Sequence, residues 1–274
     1  MSDPRSLSFV LPAHNEANTL PALISDLRRE HPAAEIIVVD DGSDDGSGAR
    51  ATEAGADRVV RHPYPMGNGA AVKDGARAAS GEVVVFMDAD GQHRAEDTHK
   101  LIAGLADGYV MVVGTRSGGA HANLGRRIAN GVYNRLASWV TGQRIADLTS
   151  GFRAVRRKRF MEILFLLPNG FSYPTTSTMA FFRAGYPVRF VPVDVRARAG
   201  AASHIRPLRD GGRFLLIILK VTTLYSPLKV FTPAALLFFC IGLGYYLYTF
   251  FTSHRFTQMS ALLFIISGLV FLMG

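Results

Sequence analysis

The sequence predicts an α/β fold, a mostly parallel, doubly wound sheet with helices on both faces, followed by helices that meet a membrane. Three observations carry this reading. Short runs of branched apolar residues, such as Ile36–Val39 and Val83–Met87, alternate with segments of helical spacing, the order of a parallel sheet. Acidic and amide residues gather directly after those runs, where open parallel sheets bind ligands. Val230–Ser253 then holds 24 residues without a charge, more than the ~20 apolar residues a helix needs to cross a bilayer core.

Taken in order, Ser8–Leu11 is a short apolar strand that stops at Pro12. Ala17–Arg29 places Leu20, Leu23, Ile24 and Leu27 on one helical face. Ile36–Val39 reads as a strand buried on both faces. A helix over Gly48–Ala54, a strand over Arg58–Arg61, a helix over Gly69–Ala79 and a strand over Val83–Met87 follow, with further strands at Tyr109–Val113 and Arg189–Val193. The cluster Arg153, Arg156, Arg157, Lys158 and Arg159 reads as a solvated helix face, with contact to anionic lipid headgroups as the alternative. In Pro207–Ser226 the apolar run Phe214–Leu219 lies between Arg213 and Lys220, the pattern of an amphipathic interfacial helix. A span is expected at about Pro233–Phe251, with Tyr245, Tyr246 and Tyr248 as interfacial aromatics at its far end. Met259–Gly274 is uncharged for 16 residues, short for a full span, which predicts a truncated second one. The expected organisation is thus an α/β domain over 1–204, an interfacial segment over 205–229 and a transmembrane region over 230–274.

Charge divides the chain. Of its 274 residues, the first 100 hold 10 Lys/Arg and 17 Asp/Glu, and the remainder hold 20 and 5. No acidic residue follows Asp210. The basic residues lead into a hydrophobic tail, so the anionic partner they imply is a lipid or membrane surface and not nucleic acid. Arg206, Arg209, Arg213, Lys220 and Lys229 before the first span outweigh the lone Arg255 after it. The positive-inside rule then predicts a multi-pass protein of the cytoplasmic membrane with its first domain in the cytoplasm. A single cysteine, Cys240, excludes an intramolecular disulfide and a cysteine-built zinc site.

The chemistry concentrates at three strand ends. Met87-Asp88-Ala89-Asp90-Gly91-Gln92-His93 follows one buried run. A carboxylate and an amide oxygen there can hold Mg²⁺ or Mn²⁺ while a substrate diphosphate supplies further oxygens, and the metal offsets charge on the departing diphosphate. Val38-Val39-Asp40-Asp41-Gly42-Ser43 follows another, with a carboxylate able to accept from a base or ribose, and Pro12-Ala13-His14-Asn15-Glu16 follows the first. Each alone reads equally as a solvated turn. Three on neighbouring strands point to a nucleotide crevice. Gly67-Asn68-Gly69 is a weaker signal that reads as a tight turn.

Pro-x-x-Asn-Glu, Val-Val-Asp-Asp-Gly-Ser, Met-Asp-Ala-Asp-x-Gln-His and Asp-Leu-Thr-Ser-Gly-Phe-Arg at 147–153 together resemble the polyprenyl-phosphate glycosyltransferases of glycosyltransferase family two, the group of dolichyl-phosphate mannose synthase and its bacterial relatives. The resemblance covers about residues 7–230. It implies a glycosyltransferase-A fold and transfer of a sugar, with inversion, from a nucleotide diphosphate to a membrane polyprenyl phosphate. Residue by residue, it implies nucleotide-sugar contacts from Pro12, His14, Glu16, Val39, Asp41, Asp88 and Ala89, and metal contacts from Asp90 and Gln92. It implies acceptor-phosphate contacts from Arg116, Arg126, Asn130, Arg198 and His204, with Arg116 also near the sugar diphosphate. Asp147 is expected to orient an arginine or sit beside the acceptor, or else to be a turn acid. The chain departs from the pattern at Gly200, a shifted glycine, at His204 in place of lysine, at His14 in place of tyrosine and at Thr176 in place of glutamate. Self-association as a homo-oligomer is implied by analogy alone.

Two other readings differ in what they require. A processive polysaccharide synthase carries a Gln-x-x-Arg-Trp motif, and the one tryptophan here, Trp139, follows Ala137-Ser138. A degenerate, non-catalytic membrane-anchored domain would have lost Asp88, Asp90 or Gln92, and all three are present.

Overall fold

The computed structural model describes residues 7–116, 124–170, 172–195 and 226–274, with 216, 219, 220, 222 and 223. The chain divides into two units, 1–211 and 212–274.

The first unit is built on a sheet of seven strands: β1 (Leu7–Ala13), β2 (Glu35–Asp40), β3 (Arg58–Arg61), β4 (Val83–Phe86), β5 (Met111–Arg116), β6 (Arg153–Arg156) and β7 (Val188–Val193), in the order β3-β2-β1-β4-β6-β5-β7. β3, β2, β1 and β4 pair in parallel, as do β5 and β7. β6 runs antiparallel to both β4 and β5. The helices are α1 (Leu20–Glu30), α2 (Ser47–Glu53), α3 (Asn68–Ala78), α4 (Asp97–Ala103), α5 (Leu124–Thr141), α6 (Arg157–Ile163) and α7 (Tyr173–Arg183).

The apolar runs explain why the sheet is covered on both sides. Phe9 and Leu11 of β1 and Ile36 and Val38 of β2 pack with Leu20, Leu23, Ile24 and Leu27, the predicted stripe of α1. The intervening Val10 and Val39 face α3 on the opposite side. Burial of each such side chain contributes about 1.5–3 kcal/mol. The frame therefore holds the strand ends rigidly, and the winding reverses between β1 and β4, the switch point at which such sheets bind ligands.

Two expectations are corrected. The strand expected at Tyr109–Val113 begins at Met111 and runs on to Arg116, because a turn with Asp107 and Gly108 at positive φ delays its entry and pairing with β7 continues to Arg116. The basic cluster is no single solvated face. Arg153 is fully buried in β6, whereas Arg157, Lys158 and Arg159 open α6.

The second unit is a helical hairpin. α8 (Pro227–Ser253) has 27 residues and α9 (Gln258–Leu272) has 15, about 40 and 22 Å at 1.5 Å per residue. The expected span, Pro233–Phe251, lies inside α8, which among the described residues is the one helix long and apolar enough to cross a membrane. His254, at φ 50°, turns the chain, and Thr257 caps α9 by accepting from Ser260 N. The helices are antiparallel: Gly242 lies against Leu263, Phe239 against Phe264, and Ser267 Oγ donates to the Ala235 carbonyl at 2.8 Å.

Candidate active site

The loops after β1, β2 and β4 are stitched into one surface. After β1, Asn15 takes a left-handed conformation, φ 57°, which asparagine tolerates better than most residues. Its N–H donates to Ser43 Oγ (3.0 Å) and its Oδ1 accepts from Asp44 N (3.1 Å). Glu16 N donates to Ser47 Oγ and Ala17 N to Asp45 Oδ2. Asp45 would be pushed up by burial, but the donors from Ser47 and Ala17 outweigh that and hold its carboxyl below the usual range. Asn15, Ser43 and Asp45 thus join two loops. Thr19 makes the third join. Its hydroxyl lies 2.9 Å from Glu16 Oε2 and 2.7 Å from the Ala89 carbonyl, tying the β1 end to the Asp88–Asp90 turn.

At the end of β2, both acids are buried. Asp40 Oδ1 accepts from Ser43 N and closes the turn. Gly42, at φ 67°, is required there: a Cβ would stand 2.5 Å from the Tyr64 carbonyl carbon. Asp41 Oδ1 accepts from His62 Nδ1 and from Met66 N, both at 2.7 Å, and Oδ2 accepts from Gly67 N at 2.8 Å. Burial raises the Asp41 pKa, but the His62, Met66 and Gly67 donors win and hold it below the usual carboxylate range. His14, exposed, donates Nδ1–H to the Asp41 carbonyl. Pro12 is half-buried and Val39 fully buried beneath them.

At the end of β4, Asp88 and Asp90 are both half-buried. Asp90 Oδ1 accepts from Gln92 N at 3.1 Å, a turn that Gly91 permits with φ 72°. Asn68 Nδ2 lies 3.4 Å from Asp88 Oδ1. Gly151, of the Ser-Gly-Phe-Arg segment, lets the backbone approach the same carboxylate: a Cβ there would stand 2.9 Å from Asp88 Oδ2. Asp147 is buried and its Oδ1 accepts from the N–H and hydroxyl of Thr149, the geometry of a turn acid.

Pro12, His14, Glu16, Val39, Asp41, Asp88, Ala89, Asp90 and Gln92 therefore share the three adjoining strand ends. The acceptor group is less complete. Arg116 closes β5 opposite Val193, and Arg126 and Asn130 lie in α5, but their side chains are outside the described residues, as are Arg198 and His204 entirely. Sequence reasoning missed His62, Thr19 and Asn68. A lone histidine or threonine carries no spacing signal, and the Gly67-Asn68-Gly69 turn hinted only at a turn.

Among the described residues no group of three His, Cys, Asp or Glu side chains is placed to hold a metal ion. One carboxylate and one amide oxygen, Asp90 and Gln92, are a hard-oxygen donor set of the kind that holds Mg²⁺ or Mn²⁺ together with substrate phosphates. The residues fit such an ion provided that a diphosphate completes its shell.

An α/β domain with polar strand ends at its switch point, followed by an apolar hairpin, is the class that this fold and site define. Residues 8–164 match the model of glycosyl transferase family 2, and residues 226–274 match the GtrB C-terminal hairpin. The chain belongs to glycosyl transferase family 2, and it is a glycosyltransferase. It is 32% identical over 254 residues to glycosyltransferase AglJ of Haloferax volcanii, covering 90% of this chain and 82% of that one. It is 31% identical over 217 residues to a dolichyl-phosphate hexose transferase of the same organism, covering 78% and 93%. It is 30% identical over 203 residues to polyprenol monophosphomannose synthase of Mycolicibacterium smegmatis, covering 69% and 77%. Among solved structures, glucosyl-3-phosphoglycerate synthase of Mycobacterium tuberculosis, in complex with Mn²⁺, UDP-glucose and phosphoglyceric acid, aligns with a TM-score of 0.62 at 25% identity, covering 80% and 79%. The matched hairpin and the apolar length of α8 suggest membrane anchoring.

Proposed function

We propose that this glycosyltransferase moves a sugar from a nucleotide diphosphate to a polyprenyl phosphate at the cytoplasmic face of a membrane, with inversion at the anomeric carbon. The observation that carries the reading is the joining of three polar strand ends, after β1, β2 and β4, at the switch point of the sheet. Relatives named for dolichyl-phosphate and polyprenol acceptors support it.

In this reading Asp41 receives the base or ribose. Each carboxylate oxygen has two acceptor positions, and Asp41 Oδ2 has one donor, Gly67 N. Pro12, His14, Glu16, Val39, Asp88 and Ala89 line the nucleotide. Asp90 and Gln92 hold Mg²⁺ or Mn²⁺, which offsets the charge gathering on the departing diphosphate. Arg116, Arg126, Asn130, Arg198 and His204 receive the acceptor phosphate, and arginine suits this because its paired donors match phosphate oxygens. Asp147 would orient one of these arginines or sit beside the acceptor. A phosphate monoester has a second pKa near ~6, so the attacking oxygen is already ionised at neutral pH and needs no dedicated base. The work of the protein is then to position two anions against their repulsion. The catalytic part would occupy 1–204, with an interfacial segment over 205–229 and the transmembrane region over 230–274. The basic flank before α8 favours a cytoplasmic catalytic side.

The test offers a panel of nucleotide sugars to membranes containing the protein and undecaprenyl phosphate, with Mn²⁺ and with excess chelator. One sugar transferred to the lipid, and only with the metal, is the expected result. Transfer undiminished in chelator would remove the metal from the proposal. Repeated addition building a polymer would replace the single-transfer reading with a processive one.

A further inference from the structure

We propose that His62 is a positioning residue for donor binding, holding the Asp41 carboxylate and the 62–67 loop in the arrangement that receives the nucleotide. The inference rests on the reading of the β1, β2 and β4 ends as the nucleotide-sugar site. His62 directly follows β3 and is 5% exposed. It is gripped from three directions. Its backbone N–H donates to the Asp40 carbonyl at 2.8 Å. Nδ1 lies 2.7 Å from Asp41 Oδ1, and Nε2 lies 3.1 Å from Asp74 Oδ2 on α3. Each ring nitrogen therefore faces a carboxylate oxygen, and donation to Asp41 places a proton on Nδ1.

The consequence falls on Asp41. Its Oδ1 is filled by His62 and Met66 N, and its Oδ2 is half filled by Gly67 N. Three donors from one loop fix the rotation of the carboxylate, so the remaining acceptor position on Oδ2 has a fixed direction. Removing the His62 donor leaves Oδ1 held by one backbone N–H and lets the group turn. Asp74 braces the ring from the far side and is itself braced, since its Oδ1 accepts from Arg77 at 2.5 Å. The arrangement extends further along the same loop. The Gly67 Cα packs so closely on residue 169 that a Cβ would stand 2.5 Å from the Asn169 carbonyl oxygen, and Lys73 holds the Leu167 carbonyl and Asn169 Oδ1. A histidine needed only to fill space would not require a carboxylate at each nitrogen.

The test is a binding titration on the purified full chain in detergent, using UDP, GDP, dTDP and CDP with Mn²⁺. His62→Asn keeps an amide N–H near the Nδ1 position and can still donate to Asp41. His62→Gln carries its amide to the Nε2 position, toward Asp74. His62→Ala donates to neither. For the nucleotide that wild type binds best, His62→Ala and His62→Gln are expected to weaken binding about tenfold, the range of one charge-assisted hydrogen bond, and His62→Asn less than about threefold. In turnover assays the donor KM rises by the same factor while kcat stays within about twofold. Equal affinity of all three variants and wild type overturns the inference and leaves the donor site standing. Wild type that binds none of the four nucleotides overturns both. If His62→Ala does not fold, the Asn and Gln variants decide: equal affinities overturn the proposal, and tighter binding by Asn supports it.

Discussion

Asp41 and Arg153 are both buried charges of the first unit, and their surroundings differ in kind. Asp41 stands at a strand end, is 6% exposed, and is met by three N–H donors from one loop with an acceptor position left over. Arg153 stands inside β6, is 0% exposed, and is met by neutral oxygens: the Ser150 and Pro174 carbonyls and the Ser177 and Thr178 hydroxyls. Burial depresses the Arg153 pKa, with Tyr173, Asp147 and Asp88 working against it. The Tyr173 ring lies 5.6 Å beneath the guanidinium. The strand-end charge is proposed to meet the nucleotide, whereas the mid-sheet charge knots together the 147–153 segment and the start of α7. The two regions predict opposite phenotypes on mutation, one in rate and one in stability.

The largest effect is expected on the strand-end side. Asp90→Ala removes a proposed metal ligand at a half-buried turn whose contacts include the Gln92 N–H. Turnover should fall about 10³-fold, roughly 4 kcal/mol of barrier, while the thermal midpoint moves by less than about 2 °C. A fall in midpoint as steep as the fall in rate would erase the contrast, because Asp90 would then be holding the fold.

On the mid-sheet side, Arg153→Met fills much of the same volume but removes the guanidinium that the Ser150 carbonyl and the Ser177 and Thr178 hydroxyls meet, while the Pro174 carbonyl keeps those two hydroxyls as donors. A buried polar group left without its partner costs about 1–3 kcal/mol, so a loss of about 3 kcal/mol lowers the melting midpoint by roughly 6–12 °C for a domain of this size. The folded fraction at low temperature should still bind the preferred nucleotide. An unchanged midpoint would show that Arg153 does not hold these segments together.

The same contrast explains what was legible in the sequence. Ile36–Val39 and Val83–Met87 announce their strands because a strand buried on both faces needs an unbroken apolar run, and the acids that follow such runs fall at the site by geometry. Arg153 was misread because its burial depends on hydroxyls more than 20 residues away, Ser177 and Thr178, which no local pattern reveals. His62 was invisible for the same reason: its partners Asp41 and Asp74 lie 21 and 12 residues distant. Local periodicity exposes elements, and long-range polar pairing stays hidden until the chain is folded.

A third ionisable group, half-buried, sharpens the comparison by a different route. His31, at the C-terminal cap of α1, lies between Phe9 and His99, with ring centroids at 5.1 and 4.3 Å, and Nε2 is 2.7 Å from Thr98 Oγ1. Burial and then the neighbouring His99 push its pKa down to about 4, against a smaller upward pull from Glu30. Where Asp41 is paired and Arg153 is dispersed onto dipoles, His31 is half-buried and neutral. The sign of its linkage follows. At pH 7 the folded chain leaves it neutral and the unfolded chain protonates it only in part. Below about 6.5 the unfolded chain binds a proton that the folded chain refuses until about pH 4. Stability therefore falls as pH drops through that window, by well under the ~1.4 kcal/mol per unit ceiling because the ring is only half-buried. His31→Gln removes the titration and can retain a hydrogen bond to Thr98. Its urea midpoint should fall less than that of wild type between pH 6.5 and 5, above the range where Asp41, Asp45 and Glu35 begin to protonate. Parallel curves for the two proteins would show that His31 is not the source of the slope.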